Sequence, residues 1–319
     1  MLQVEIDTFS GIPNPTFELT EKEEKILVDR IIAEPGQMSA VTDPNENFGL
    51  GYRGMIIRQI KSDGGAWTKE KRPKGLLLPG ESAIPSNALP SEFRLGSKSI
   101  KTESAETWLL KLLEKKHPAI SDDMWDVLHE GVQSLPLSRE AAEPPDVAAS
   151  KESHAAAPKG ATWWACPSAF YSANAALFNG PEYVTRNNCY CFGSNHLANV
   201  RYALPGKRGG RPARQPLTCG GVIDGLRADG WIDGCQNNTL TIAMVIWPNG
   251  LYSDYHFYRV VTNGPDWWWG HKPGGTPARY TDNSNRPLKQ PLSPINCDRG
   301  PYSQFCGYFY QNNNTAFVA

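Results

Sequence analysis

The distribution of cysteine constrains this chain more than any other feature. All seven cysteines lie between positions 166 and 306, and the residues before position 166 contain none. Such density arises in an oxidised domain held by disulfides, or in a reduced domain with thiol or metal chemistry. An odd count allows three bridges and one free thiol, which suits a catalytic cysteine, although seven reduced thiols give the same count. Cysteine usage points towards an extracellular or oxidising setting and leaves the compartment open.

Composition divides the chain into three parts. Residues 1–135 combine half-buried strand patterns with three amphipathic helices, which predicts a small α+β domain. Residues 136–160 are rich in Ala, Pro, Glu and Ser and contain no Phe, Trp or Tyr, which is typical of a flexible linker. Residues 161–319 are predicted to form a Cys- and Trp-rich domain with a helix followed by an antiparallel β-meander. The predicted fold class is therefore α+β.

Local patterns place the main elements. Thr20 and Glu23 have the spacing of a capping box, which predicts a helix over EKEEKILVDRIIAE. A second helix is predicted from Asn188 or Cys189 to Ala203, before a Pro-Gly pair. The remaining predicted helices are AETWLLKLLEKK, SDDMWDVLHEGVQSL and GGVIDGLRADG, and the predicted strands are LQVEIDTF, LGYRGMIIRQI, TLTIAMVIW, LYSDYHFYRVV, WWWGHK and FCGYFY.

The two halves of the chain carry opposite net charge. Residues 1–135 hold 21 acidic and 16 basic side chains, whereas residues 161–319 hold 8 acidic and 13 basic side chains. Opposite charge favours docking of the two domains on each other, or an anionic target for the C-terminal domain. Neither half is basic enough to indicate nucleic acid. No apolar run is long enough to span a membrane, and the first residues lack the pattern of a secretory signal.

The stretch NNCYCFGSNH, residues 187–196, contains the candidate nucleophile. Cys189 lies in the first turn of the predicted helix, where backbone N–H groups and the helix dipole lower a thiol pKa. His256 and His271 lie on strands that follow this helix, so they are the candidates for the base and for the group that orients it. Other candidates for the orienting group are Asp254, Asp282 and Asn283.

This order of residues resembles the papain-like cysteine hydrolases, and within them the NlpC/P60 family. Papain-like peptidases open their central helix with Cys-Trp-Ala-Phe-Ser, and here Cys189 is followed by Tyr-Cys-Phe-Gly-Ser. The resemblance covers residues 185–275 and implies a papain-like fold for the C-terminal domain, with Cys189 as nucleophile, His256 as base and His271 as orienter. It implies an amidase or peptidase acting on a peptide or peptidoglycan-like amide. The family usually has Asp-Cys-Ser-Gly where this chain has Asn-Cys-Tyr-Cys, so the substrate class does not carry over.

Other interpretations stay open. The C-terminal domain could be a non-enzymatic, disulfide-rich binding, toxin or structural assembly protein with Trp and Tyr as its contact surface. Cys189, Cys191 and His196 could supply three zinc ligands, but C-x-C is not the usual spacing and no second pair follows. The sequence therefore predicts no metal and no cofactor. The basic loop GKRGGRPARQ either binds an anion or is simply solvated.

Overall fold

The fold of the protein, seen in a computed structural model, comprises two compact units. The structure describes residues 1–42, 48–60, 89–96, 104–117, 120–133, 176–234, 239–263, 267–311 and 316–319. The first unit draws on Met1–Thr8, Asn14–Glu46 and Gly51–Pro136, and the second on Phe9–Pro13, Asn47–Leu50 and Leu137–Ala319. The predicted linker, Cys166 and Cys235 lie outside the described residues.

In its described part, the first unit contains a five-stranded antiparallel sheet and three α-helices. Its strands are β1 (Leu2–Ile6), β2 (Thr16–Glu18), β3 (Met38–Ser39), β4 (Met55–Gln59) and β5 (Glu92–Leu95), in the spatial order β2-β1-β4-β5-β3. Its helices are α1 (Glu21–Ala33), α2 (Ala105–Lys116) and α3 (Asp122–Gln133). The three helices predicted for residues 1–135 are confirmed.

The start of α1 follows from its sequence. The Thr20 side chain accepts a hydrogen bond from the Glu23 backbone N–H at 3.4 Å, and the Glu23 carboxylate accepts one from the Thr20 N–H at 2.9 Å. This reciprocal pair satisfies two backbone donors that the first turn leaves without helical partners. Leu27 and Ile31, one turn apart, are fully buried on the inner face of the helix.

A buried ion cluster lies in the first unit. The Asp7 carboxylate accepts from Arg53 at 2.7 Å and pairs with Arg94 at 2.8 Å. Burial opposes ionisation of Asp7, but the two guanidinium groups outweigh it and hold the pKa of this carboxyl well below its usual range. Two buried arginines therefore hold this single buried carboxylate in its ionised form.

The second unit contains, in its described part, a four-stranded antiparallel sheet. Its strands are β6 (Leu240–Trp247), β7 (Asp254–Asn263), β8 (Trp267–His271) and β9 (Gln304–Gln311), in the order β8-β7-β6-β9. All residues of the central strand β6 are buried, which explains why its sequence is a continuous apolar run and not an alternating one. The predicted three-stranded meander and the final strand are confirmed.

The second unit also contains the helices α4 (Cys189–Gly193) and α5 (Cys219–Ala228). The predicted helix from Asn188 to Ala203 is wrong in length, because α4 stops at Gly193. Asn195 and Asn199 have φ of 53° and 54°, a left-handed conformation that cannot continue a right-handed helix. No helix in the described part of the chain is long and apolar enough to cross a membrane.

The described tryptophan side chains of the second unit lie in its core. Trp231 and Trp269 are 1% exposed, and Trp247 and Trp268 are 5% exposed. Phe9 packs its ring against Trp247, with ring centroids 5.6 Å apart. These four tryptophans are therefore unavailable as the aromatic contact surface that the binding-protein interpretation requires.

Candidate functional site

The start of α4 places Cys189 inside the core. Asn188 caps the helix, since its side-chain oxygen accepts from the Cys191 N–H at 3.2 Å. The Cys189 side chain is fully buried, and its Sγ donates to the carbonyl oxygen of Tyr255 at 3.7 Å. Burial, reinforced by the negative charge of Asp254, raises the pKa of the Cys189 thiol well above its ordinary value. The thiol is therefore protonated at neutral pH, whereas a nucleophile requires the thiolate.

The two predicted site histidines lie together. His256 Nε2 and His271 Nδ1 are 2.8 Å apart, and His271 Nε2 is 3.0 Å from the carbonyl oxygen of Thr281. A carbonyl only accepts, so we assign the His271 proton to Nε2, and His271 Nδ1 then accepts from His256 Nε2–H. Burial, with a contribution from the Arg279 charge, lowers the pKa of His271 to about 3. The His271 ring is therefore neutral throughout the physiological range.

Strand β7 separates the thiol from the histidines. Tyr255 and Phe257 face the apolar core that contains Cys189, and the Phe257 ring packs on Tyr190 of α4 with centroids 5.0 Å apart. Side chains alternate along a strand, so the intervening His256 projects from the opposite face. The structure thus brings together His256 and His271 and places Cys189 on the other side of the sheet.

The alternative orienting residues have structural partners. Asp282 accepts from the Arg286 side chain at 2.7 Å, and the Asn283 side chain accepts from the Leu50 N–H at 2.8 Å. Asp254 accepts from the backbone N–H groups of the segment 10–12, at distances from 2.6 to 3.3 Å, and from the hydroxyl of Tyr302 at 2.5 Å. Each of these groups fixes a loop or chain segment of the second unit.

The contacts of Asp254 and Lys272 are the main features that the sequence analysis missed. Lys272 is fully buried, and its ammonium group donates to the carbonyl oxygens of Val184, Asn187 and Gly274 at 2.6–2.7 Å. This lysine thereby holds the segment that leads into α4. The position of Lys272, directly after the candidate His271, was a possible signal that it belongs to the site. The sequence contains no comparable signal that links Asp254 to residues 10–12.

The described cysteines divide between a bridge and buried thiols. Cys219, the first residue of α5, forms a disulfide with Cys306 of β9. Cys189, Cys191 and Cys297 are free and buried. Burial raises the pKa of Cys191 to about 11 and that of Cys297 to about 12. Within the described residues, the second unit therefore contains both a disulfide and free thiols.

The zinc interpretation gains no ligand set from this geometry. His196 lies beyond the end of α4, and its Nδ1 accepts from the backbone N–H of Val318 at 3.1 Å. The Cys191 thiol donates to the carbonyl oxygen of Val200 at 3.5 Å. Across the described ranges, no three His, Cys, Asp or Glu side chains are grouped as metal ligands would be.

Comparison with known proteins gives one relationship. The chain is 40% identical to "Insoluble matrix shell protein 1" of Ruditapes philippinarum over 127 residues, which are 39% of this chain and 78% of that protein. It belongs to the family of insoluble matrix shell protein 1. No protein-family model matches the chain, and no solved structure does. The kinship with insoluble matrix shell protein 1 thus stands on sequence identity.

Proposed function

We propose that this chain is a non-enzymatic structural component of an insoluble extracellular matrix. The observation that carries the proposal is the family relationship with insoluble matrix shell protein 1, whose name places it in the insoluble matrix of a shell. The second unit would supply a rigid, disulfide-linked module to that matrix.

The chemistry of the second unit supports a structural role. The Cys219–Cys306 bridge joins residues 87 positions apart and suits an oxidising, extracellular setting. The hydrogen bonds of the histidine pair, Asp254 and Lys272 go mainly to backbone groups inside the fold or, for the histidines, to each other. Such side chains position chain segments and leave little of their hydrogen-bonding capacity for a substrate.

The hydrolase interpretation remains a prediction from the sequence. It requires Cys189 as a thiolate within reach of His256, acting on a peptide or cell-wall-like amide. The buried, protonated thiol and the location of His256 on the opposite face of β7 favour the structural alternative.

A co-sedimentation experiment tests the proposal. The oxidised full-length chain is incubated with the acid-insoluble organic residue of Ruditapes philippinarum shell, which is then pelleted and washed. We expect most of the chain to stay with the pellet, and little to sediment when the residue is left out. Cys189→Ala is the matched variant, and it should be retained as well as the wild type because the thiol is buried and does not contribute to the surface that binds the shell material.

Two outcomes would contradict the proposal. The first is a chain that remains in the supernatant at every concentration tested. The second is release of peptide fragments from the residue by the wild type but not by Cys189→Ala, which would establish an amide hydrolase.

A further inference from the structure

The basic loop, residues 206–215, presents four cations on the surface of the second unit. The side chains of Lys207, Arg208, Arg211 and Arg214 are all exposed. This density of positive charge makes the loop the most basic segment of the second unit.

Hydrogen bonds to Asp229 hold the backbone of the basic loop in one conformation. The Asp229 carboxylate accepts from the backbone N–H groups of Gly206 at 2.7 Å and Gly209 at 2.8 Å, and from the Tyr190 hydroxyl at 2.7 Å. A Cβ atom at Gly209 would lie 2.1 Å from the Ala228 carbonyl oxygen, so the loop backbone packs directly on the end of α5. The cations therefore extend from a preorganised backbone, which reduces the entropy cost of binding.

These cations have no carboxylate partner in the described part of the chain. The described ion pairs of the second unit involve other arginines, such as Arg227 with Asp233 and Arg286 with Asp282. Arg208 lies over the Phe317 ring, with the guanidinium carbon 5.1 Å from the ring centroid, and this contact leaves its charge uncompensated. The basic loop is thus a positive surface that the described fold of the second unit does not use.

The first unit carries a complementary surface on α3. The acidic stripe, which consists of Asp122, Asp123 and Asp126, is exposed on the face opposite the buried Trp125 and Leu128. Two acids in the first turn stabilise a helix through its dipole, but Asp126 lies beyond that turn. Like charges four residues apart, such as Asp122 and Asp126, repel each other and destabilise a helix. The stripe therefore carries more negative charge than its own helix needs.

We propose that the basic loop of one copy binds the acidic stripe of a second copy of this chain. Two different surfaces are joined, so the contact is heterologous and can repeat from copy to copy into an open polymer. The inference rests on the proposed matrix function and gives it an assembly contact. The partner is a second copy because the chain itself supplies both signs of charge on separate, exposed elements.

Charge-reversal variants of the full-length chain test this contact. The loop variant is Lys207→Glu/Arg211→Glu/Arg214→Glu, which leaves a net negative loop, and the helix variant is Asp122→Lys/Asp123→Lys/Asp126→Lys, which makes the stripe positive. The control is Lys22→Glu/Lys25→Glu/Lys111→Glu, which changes exposed charges of α1 and α2 by the same amount as the loop variant. Near-ultraviolet circular dichroism checks that each variant keeps the wild-type fold. If the loop variant does not, Arg211→Gln/Arg214→Gln replaces it and should associate less than the wild type.

Sedimentation velocity measures the association. In about 0.05 M salt the wild type and control should exceed the monomer mass of 35.2 kDa increasingly with concentration, and in about 0.5 M salt they should return to it. Each reversed variant alone should stay at the monomer mass. An equal mixture of the two should associate again, because the reversed loop meets the reversed helix.

Three results would overturn the inference: a wild type that stays monomeric in low salt, reversed variants that still associate alone, or a mixture that stays monomeric. An intramolecular contact, or a requirement for some other polyanion, gives the first result. If the acid-insoluble shell material still retains the reversed variants, the proposed matrix function holds without this contact. Association of the wild type without retention would reject the matrix function instead.

Discussion

At the scale of single residues, Asp254 is a carboxylate surrounded only by hydrogen-bond donors. Its oxygens accept from the N–H groups of residues 10–12 and from the Tyr302 hydroxyl. Asp254→Asn places an NH₂ group against these donors, so we expect a loss of about 2–3 kcal/mol in the free energy of unfolding. Equilibrium urea unfolding at neutral pH measures this loss. The exposed control Asp224→Asn should change stability by less than about 0.5 kcal/mol, and equal effects of the two variants would refute the buried network.

His271 and Asp254 make stability respond to pH in opposite directions. Folding lowers the pKa of His271 from 6.5 to about 3, so its contribution to stability falls as pH drops through this range. Burial raises the pKa of Asp254 from 3.8 to about 6, against the opposing effect of its hydrogen bonds. At pH values between these two pKa values, Asp254 therefore binds a proton on folding. Its contribution to stability rises as pH drops from about 6 to 4. In the wild type the two contributions cancel within that window.

Single substitutions should separate these contributions. Relative to the wild type, His271→Gln should gain stability and Asp254→Asn should lose it on acidification from about pH 6 to 4, each by about 1.4 kcal/mol per pH unit. The measurement is a series of urea unfolding curves across this range. Differences between variant and wild type that do not change with pH would show that neither group has a shifted pKa.

The sequence identified several of these residues without revealing their environment. Cys189 does lie in the first turn of a helix, as predicted, but its side chain is buried, and burial raises its pKa where the sequence predicted a lowered one. The sequence places Asp254 beside His256, but its partners, Ser10 and Gly11, are more than 240 positions away. Contacts over such separations leave no local periodic signal in one sequence.

At the scale of elements, the Cys219–Cys306 bridge ties the start of α5 to strand β9. Because it closes a loop of 87 positions, its removal should lower the free energy of unfolding by about 4 kcal/mol. The variant is Cys219→Ser/Cys306→Ser, measured by urea unfolding under oxidising conditions. Cys297→Ser, which leaves the bridge intact, is the control and should lose less. A double variant as stable as the wild type would contradict a structural role for the bridge.

Elements with complete local signals were predicted well. The capping box of α1 and the apolar run of β6 each specify their element within a few residues. The helix predicted from Asn188 to Ala203 shows the limit of this reasoning. The Pro205-Gly206 pair predicts an end near Ala203, but Gly193-Ser194-Asn195 contains turn-forming residues and the helix ends there.

At the scale of the whole molecule, the sequence did not predict short strands, or segments that join a unit formed by residues far along the chain. Strands β2, β3 and β5 have two to four residues each and carry no measurable periodicity. The segment Phe9–Pro13 begins at the end of the first predicted strand, yet it belongs to the second unit. The opposite charges of the two halves were visible in the sequence, and the structure shows which exposed elements, α3 and the basic loop, carry part of them.

The central claim is that the second unit is a structural module whose Cys189 thiol is buried. The most direct test is alkylation of the native, oxidised protein with iodoacetamide, followed by peptide mass spectrometry. The account predicts that Cys189 stays unmodified at neutral pH until the chain is unfolded, and then reacts like an ordinary thiol. Rapid modification of Cys189 in the native protein, with an apparent pKa well below about 8.5, would contradict the account and restore the cysteine hydrolase.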